Sequence, residues 1–258
     1  MSTFLFDKIV FGPVHSRRLG ISLGINLLPV NAKICTFNCL YCECGLNFSP
    51  KETHIPTREE VKNELRATLR QMHEEGKKLD VVTFAGNGEP TMHKDFAGIV
   101  DDTIALRDEF FPEAKISVLS NSTRIDDSCI FDALNKVDNN ILKIDSAIDA
   151  TLLKINCPGS PAFSVRQLID GLKRFQGNLI IQTLFLQGES GGQQFDNTSE
   201  EEITAWLKAI QEIRPKQVMI YTLARDTPTH GLQKATHAQL KSIAGQVRML
   251  GIDVSISE

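Results

Sequence analysis

No stretch of this 258-residue chain is apolar for long enough to cross a bilayer, which excludes a membrane-spanning helix. The opening MSTFLFDKIVFG lacks the basic segment, apolar run and small-residue cleavage site of a secretory signal, so the cytoplasm is the expected compartment. Positive charge is not in excess. A formal net charge of −4 argues against a surface made uniformly basic to grip nucleic-acid phosphates, although a local Lys/Arg patch can still do so. No Pro/Gly/Ser-rich segment is long enough to separate domains; residues 1–258 are therefore expected to form one domain, with 1–22 as an N-terminal extension. Cysteine is scarce except in one place. Four of the six lie between positions 35 and 44, and only Cys129 and Cys157 lie elsewhere. In a reducing compartment that clustering favours metal ligation over disulfides.

After the cysteine loop, apolar runs alternate with amphipathic helical patterns, the signature of repeated βα units and a parallel sheet. Six strands are expected, over 23–28, 80–85, 115–120, 141–147, 179–186 and 217–223. The first helix starts at Thr57, which makes a capping box with Glu60, and Val61, Leu65, Leu69 and Met72 mark its buried face. Further helices are expected near 94–106 and 127–135. Asp149 and Ser164 are read as caps of a short and a longer helix, Ser199 with Glu202 as a second capping box, and Gly251 as the stop of a helix over 236–250. Residues 187–198, QGESGGQQFDNT, read as a surface loop. Phe84, Phe185 and Met219 read as core.

In CTFNCLYC the spacing is Cys-x3-Cys-x2-Cys, which lets one loop, 35–44, wrap Cys35, Cys39 and Cys42 around three corners of a [4Fe-4S] cube. The fourth iron then stays open to the amino and carboxylate groups of S-adenosylmethionine. An electron from the cluster breaks a sulfonium C–S bond, giving methionine and a 5′-deoxyadenosyl radical. The alternative reading is a zinc site with Cys44 as fourth ligand, although four ligands within ten residues suit tetrahedral zinc poorly. If Cys44 is not a ligand it is either a bystander or a thiol behind the ligands.

The three-cysteine spacing with Tyr41 directly before Cys42 resembles the radical S-adenosylmethionine superfamily. That resemblance implies a partial TIM-like (βα)6 barrel with parallel strands, in agreement with the six units counted from the pattern. It places Tyr41 beside the adenine. Gly86-Asn87-Gly88-Glu89-Pro90 resembles the family's Gly-Gly-Glu motif, with Asn87 replacing the first glycine, and implies that Gly88 and Glu89 meet the methionine amino group. Ser120 and Asn121, with Lys143, Asp145 and Ser146, end the third and fourth expected strands; by resemblance these regions touch the ribose and the methionine carboxylate. Polar residues at strand C-termini face the mouth of an αβ barrel, but Ser, Asn and Asp also favour turns for their own sake.

FGPVHSRRLGISLGINLLP, GNGEP and IYTLARDTP together resemble the bacterial branch grouped with wyosine-forming tRNA enzymes. Membership of a branch does not transfer a substrate. An extra cysteine set, a flavodoxin-like domain and a net positive charge, which would accompany tRNA-wyosine chemistry, are not seen. The reading is thus an enzyme that abstracts hydrogen from an unidentified substrate, with tRNA-base modification and glycyl-radical activation as rivals. A flavodoxin- or ferredoxin-like electron donor is the expected partner.

Several groups outside these motifs remain open to two readings. His15, Arg17 and Arg18 can grip a phosphate or carboxylate, or form a solvated turn. Arg225 and Asp226 face the mouth, or simply pair with one another. Cys157 can give a hydrogen atom to a substrate radical or be a small buried thiol, and His93 is a proton-transfer group or a surface histidine at a helix start.

Overall fold

The computed structural model describes residues 4–16 and 18–257; Arg17 lies outside the described residues. The chain runs β1 (Val10–Ser16), β2 (Gly20–Ile25), α1 (Arg58–Glu74), β3 (Val81–Phe84), α2 (Phe96–Phe110), β4 (Lys115–Ser120), α3 (Ser128–Lys136), β5 (Asn139–Lys143), α4 (Asp149–Asn156), α5 (Val165–Lys173) and β6 (Ile180–Leu184). It continues through β7 (Leu186–Ser190), β8 (Gln193–Asp196), α6 (Glu200–Ile213), β9 (Gln217–Tyr221), β10 (Leu232–Lys234), α7 (His237–Met249) and β11 (Asp253–Ser257). The principal sheet has the order β1-β2-β3-β4-β5-β6-β9-β11. Every neighbouring pair in it is parallel except β1 with β2. The six expected strands correspond to β2 to β6 and β9, so the partial barrel is as the pattern indicates; the first lies three residues earlier than expected, at Gly20–Ile25, and β1, within the expected extension 1–22, and β11 are added at the edges.

Strand alternation decides which side chains reach the helices and which reach the interior. Leu23, Ile25, Val82, Phe84, Ile116, Val118, Leu142, Ile181, Val218 and Ile220 are almost fully buried and belong to the large core shared with the helices. Their opposite neighbours Ser22, Gly24, Thr83, Leu119, Ile141, Gln182 and Met219 line one internal cavity. Residues of β2 and β9, five strands apart, thus face the same space, which requires the sheet to curl. Inside, Ile141, Ile180 and Met219 form a second, small apolar cluster against Leu19 and Leu119.

The helices seat on the outer face by the stripes the sequence carries. Thr57 caps α1 reciprocally with Glu60, and Val61, Leu65, Leu69 and Met72 are buried at helical spacing. Phe84 and Phe185 lie in the core as expected, whereas Met219 is buried but faces the interior cavity.

Three local readings are corrected. Residues 187–198 are not a loop but the β7–β8 hairpin, which β10 extends into a three-stranded sheet. Its two-residue turn is Gly191-Gly192, both at positive φ, the conformation a right-twisted hairpin demands. Asp149 does not cap α4. Its carboxylate accepts from the Val165 N–H at 2.8 Å and so caps α5 from a distance, while Ser164 makes no side-chain cap. The Ser199 capping box is half formed: Ser199 accepts from Glu202 N–H, but the Glu202 carboxylate turns away to Ser146 Oγ at 2.6 Å.

Candidate metallocofactor site

The cysteine loop leaves β2 and returns across the ends of the central strands. Its entry is fixed by Gly88: Ile34 N–H donates to Asn87 O at 3.0 Å and Glu89 N–H to Ile34 O at 3.2 Å, a short parallel bridge directly before Cys35. Only glycine fits, because Gly88 has φ +142° and a Cβ there would lie 1.7 Å from Ile34 O. Asn87, where the family motif has glycine, is fully buried. Its side chain exchanges two hydrogen bonds with the Phe6 backbone and donates to Pro29 O, tying the N-terminal segment to this strand end.

Cys35, Cys39 and Cys42 line a cavity of about 140 Å³ with Lys33, Tyr41, Gly88, Glu89, Ser120, Asn121 and Lys143. Each thiol has a polar neighbour. Asn121 Nδ2 lies 3.4 Å from Cys35 Sγ, and Asn156 Nδ2 lies 3.3 Å from Cys39 Sγ. The neighbouring Cys44 thiol is the chief cause that lowers the pKa of Cys42 below the usual thiol range, with burial opposing and the Lys33 ammonium assisting. Burial, reinforced by Glu89, pushes Cys35 up to about 12, and burial pushes Cys39 up to about 11. Cys44 does not line the cavity; its thiol donates to Gly86 O at 3.4 Å. Among the described residues no three His, Cys, Asp or Glu side chains close around a single-ion point. Cys35, Cys39 and Cys42 all line the one cavity.

Glu89 is buried and accepts four hydrogen bonds: Thr91 N–H, Thr91 Oγ1 and Ser120 Oγ on Oε1, and Asn121 N–H alone on Oε2. Burial raises its pKa while these donors pull it down. Oε2 keeps acceptor capacity for a cation in the cavity. Asp145 is committed to the protein. Its Oδ1 accepts from Leu184 N–H at 2.9 Å, and its Oδ2 accepts from Tyr41 O–H and from Asn156 Nδ2 at 2.6 Å. Lys143 donates to Tyr41 Oη at 2.5 Å. Burial alone would lower the Lys143 ammonium, but Asp145, Tyr221 and Cys39 outweigh it and hold it above the usual lysine range. Burial and the adjacent Asp145 raise Tyr41 well above the phenol range, so it stays a donor.

The sequence candidates thus divide. Tyr41, Gly88, Glu89, Ser120, Asn121 and Lys143 meet at the cysteine cavity; Asp145 stands directly behind Tyr41. Ser146 does not join them. It follows Asp145 on the opposite side of the chain and bonds Glu202. His93 is buried rather than on the surface, held between Pro56 O and Asp95 N–H. Cys157 ends α4 and donates to Lys154 O, away from the cavity. Arg225 pairs with Glu43 at 2.7 Å and not with Asp226. Lys33 and Asn156 carried no sequence signal; their contacts cross 9 and 117 residues of sequence respectively, and Asn156 is the last residue of α4.

Comparison with known proteins agrees with this geometry. The chain is 29% identical over 228 residues to a protein of Brachyspira hyodysenteriae named GTPase Obg, covering 86% of this chain but 31% of that one. It is also 29% identical over 225 residues to a UPF0026 protein of Synechocystis sp., covering 85% of this chain and 77% of that one. In fold it is similar to a radical SAM methyltransferase from Sphaerobacter thermophilus, with a TM-score of 0.66 and 15% identity over 92% of this chain and 65% of that one. TYW1, solved with a lysine–pyruvate adduct, gives a TM-score of 0.59 and 13% identity over 89% of this chain and 72% of that one. The family model for the radical SAM superfamily matches residues 32–192, the span that carries the cysteine loop, GNGEP, Asn121 and Lys143. With its three cysteines facing one cavity at the strand ends, the chain belongs to the radical SAM superfamily, enzymes that use a [4Fe-4S] cluster and S-adenosylmethionine.

Proposed function

We propose that Cys35, Cys39 and Cys42 hold the [4Fe-4S] cluster, that S-adenosylmethionine binds beside it, and that the chain as one domain abstracts hydrogen from an unidentified substrate. The observation that carries this reading is the convergence of the three thiols with Glu89, Asn121 and Lys143, from three different strand ends, on one cavity. When bound, the pair supplies one-electron cleavage of the cofactor to methionine and the 5′-deoxyadenosyl radical.

The chain's residues divide the remaining work. Glu89 Oε2 receives the methionine ammonium, its own position fixed by Thr91, Ser120 and Asn121. Lys143 attracts the methionine carboxylate, and Tyr41, oriented by Asp145, packs beside the adenine. Asn121 and Asn156 donate toward sulfur, which stabilises the more negative, reduced site. A flavodoxin- or ferredoxin-like protein supplies the electron. Among the described residues no helix is long and apolar enough to cross a membrane.

Glu89→Gln and Lys143→Met test the assignments by S-adenosylmethionine binding to the reconstituted protein. Weakening of about tenfold or more in each, with cluster content retained, is expected. Unchanged binding in both would remove these contacts from the proposal. Nucleoside analysis of tRNA incubated with the active enzyme tests base modification: a changed nucleoside would establish it, and an unchanged digest would remove it.

A further inference from the structure

The interior of the half-barrel holds a second cavity, of about 460 Å³, within the range of small-molecule sites. Leu119 and Gln182 line both it and the cysteine cavity, so the two spaces share a wall. Its sides are apolar where Leu119, Ile141 and Met219 face inward, and Phe11, stacked on Phe6 at 3.9 Å, covers the β2 side. Phe11 fits because Gly24 beneath it has no side chain; a Cβ there would meet the ring at 2.1 Å.

Two buried polar atoms in this wall have no hydrogen-bond partner. Gln182 is 6% exposed, and its buried Nε2 makes no hydrogen bond. Arg18 has a buried Nη1 without an acceptor, and among the described residues it has no ion pair. Its guanidinium lies 4.6 Å from the centroid of the Tyr221 ring. The register places these groups together: Lys143 pairs with Gln182 and Gln182 with Met219 across the sheet, while Tyr221 follows Met219 on the same face. The other cation of the chamber, Arg225, is neutralised by Glu43.

A buried guanidinium nitrogen of the half-exposed Arg18 and a buried amide donor of Gln182, neither with a hydrogen-bond acceptor, await a ligand with acceptors and negative charge. Among the described residues lining the chamber, which also include His15, Arg18 is the one arginine without an acidic partner, and a monoanion suits it better than a dianionic phosphate. We propose that the barrel chamber is the substrate site, and that Arg18 and Gln182 bind the carboxylate of a small organic acid whose apolar portion lies along Leu119, Ile141 and Met219 toward the cluster. This rests on the reading of function given above.

The test is calorimetric titration of reconstituted protein, with S-adenosylmethionine present, by straight-chain carboxylates from acetate to hexanoate, by hexanamide and by inorganic phosphate. Hexanoate should bind at least tenfold tighter than hexanamide, each methylene should add roughly threefold, and Arg18→Met should abolish the preference for acid over amide. Arg18→Lys should retain part of it, and Gln182→Leu should weaken the acid severalfold. Any of three results would overturn the proposal: no saturable hexanoate binding, an acid preference that survives Arg18→Met, or Arg18-dependent binding of phosphate in preference to hexanoate. Cofactor cleavage by the same preparation is read separately. Cleavage without acid binding defeats the subsite alone, and acid binding without cleavage defeats the functional reading alone.

Discussion

At the scale of single residues, three of the loop's four cysteines line one cavity and the fourth does not. Cys35, Cys39 and Cys42 line the cavity, while Cys44 donates to Gly86 O. Alanine at any of the three should abolish [4Fe-4S] formation, whereas Cys44→Ala should keep the iron and sulfide content while changing the reduction potential; elemental analysis and potentiometry separate the outcomes. Asn156 shows how far a residue's role can lie from its sequence signal. It touches Cys39 Sγ, Tyr41 Oη and Asp145 Oδ2 at once. Asn156→Leu should destabilise the fold by about 1–3 kcal/mol in equilibrium unfolding, because it strips a donor from a buried carboxylate. The cysteine motif and Glu89 were legible because their chemistry needs fixed spacing along the chain. Asn156 and Lys33 were not, because an amide or ammonium beside sulfur requires only that the folded chain bring it there.

At the scale of elements, strands announced themselves in proportion to how completely they are buried. β3, with four buried residues in VVTF, was plain, whereas β11 is half-buried, ends the chain and reads DVSIS. β1 is interrupted by Gly12-Pro13 and pairs with β2 through a register shift, which blurs the period of two. The β7–β8 hairpin carried a usable sign, Gly-Gly between two short strands, but its mostly polar, half-exposed residues concealed it.

Two glycines show what an element demands of its sequence. Gly88→Ala should cost at least about 3 kcal/mol and impair cluster assembly, since backbone strain and the Ile34 carbonyl both oppose it. Gly245→Ala, in α7 with open space around it, should stabilise by roughly 0.5–1 kcal/mol. Thermal and denaturant unfolding distinguish them; equal effects would refute the packing argument. α6 supplies a pH dependence. Glu202 has its carboxyl raised above the ordinary glutamate value, first by burial. The folded state therefore binds that proton more tightly than the unfolded state, and stability falls as pH rises from the unfolded toward the folded pKa. Glu202→Gln should remove this slope and gain stability relative to the parent above that window, as unfolding measured from acid to neutral pH will show.

At the scale of the molecule, the curled sheet brings together two adjoining spaces, one lined by cysteines and one lined by the inner faces of the strands. The N-terminal segment covers the second. Phe6 is held by paired hydrogen bonds to Asn87, the residue that departs from the family's Gly-Gly-Glu pattern. Asn87→Gly should therefore release residues 4–11, seen as faster amide exchange confined to that segment, while the iron content stays unchanged.

The central claim is that the cysteine cavity is where S-adenosylmethionine is broken. Its most direct test is anaerobic reconstitution with iron and sulfide, reduction, and assay for 5′-deoxyadenosine and methionine. One [4Fe-4S] cluster per chain with equimolar formation of the two products is the expected result; an intact, reducible cluster that never cleaves the cofactor would contradict it.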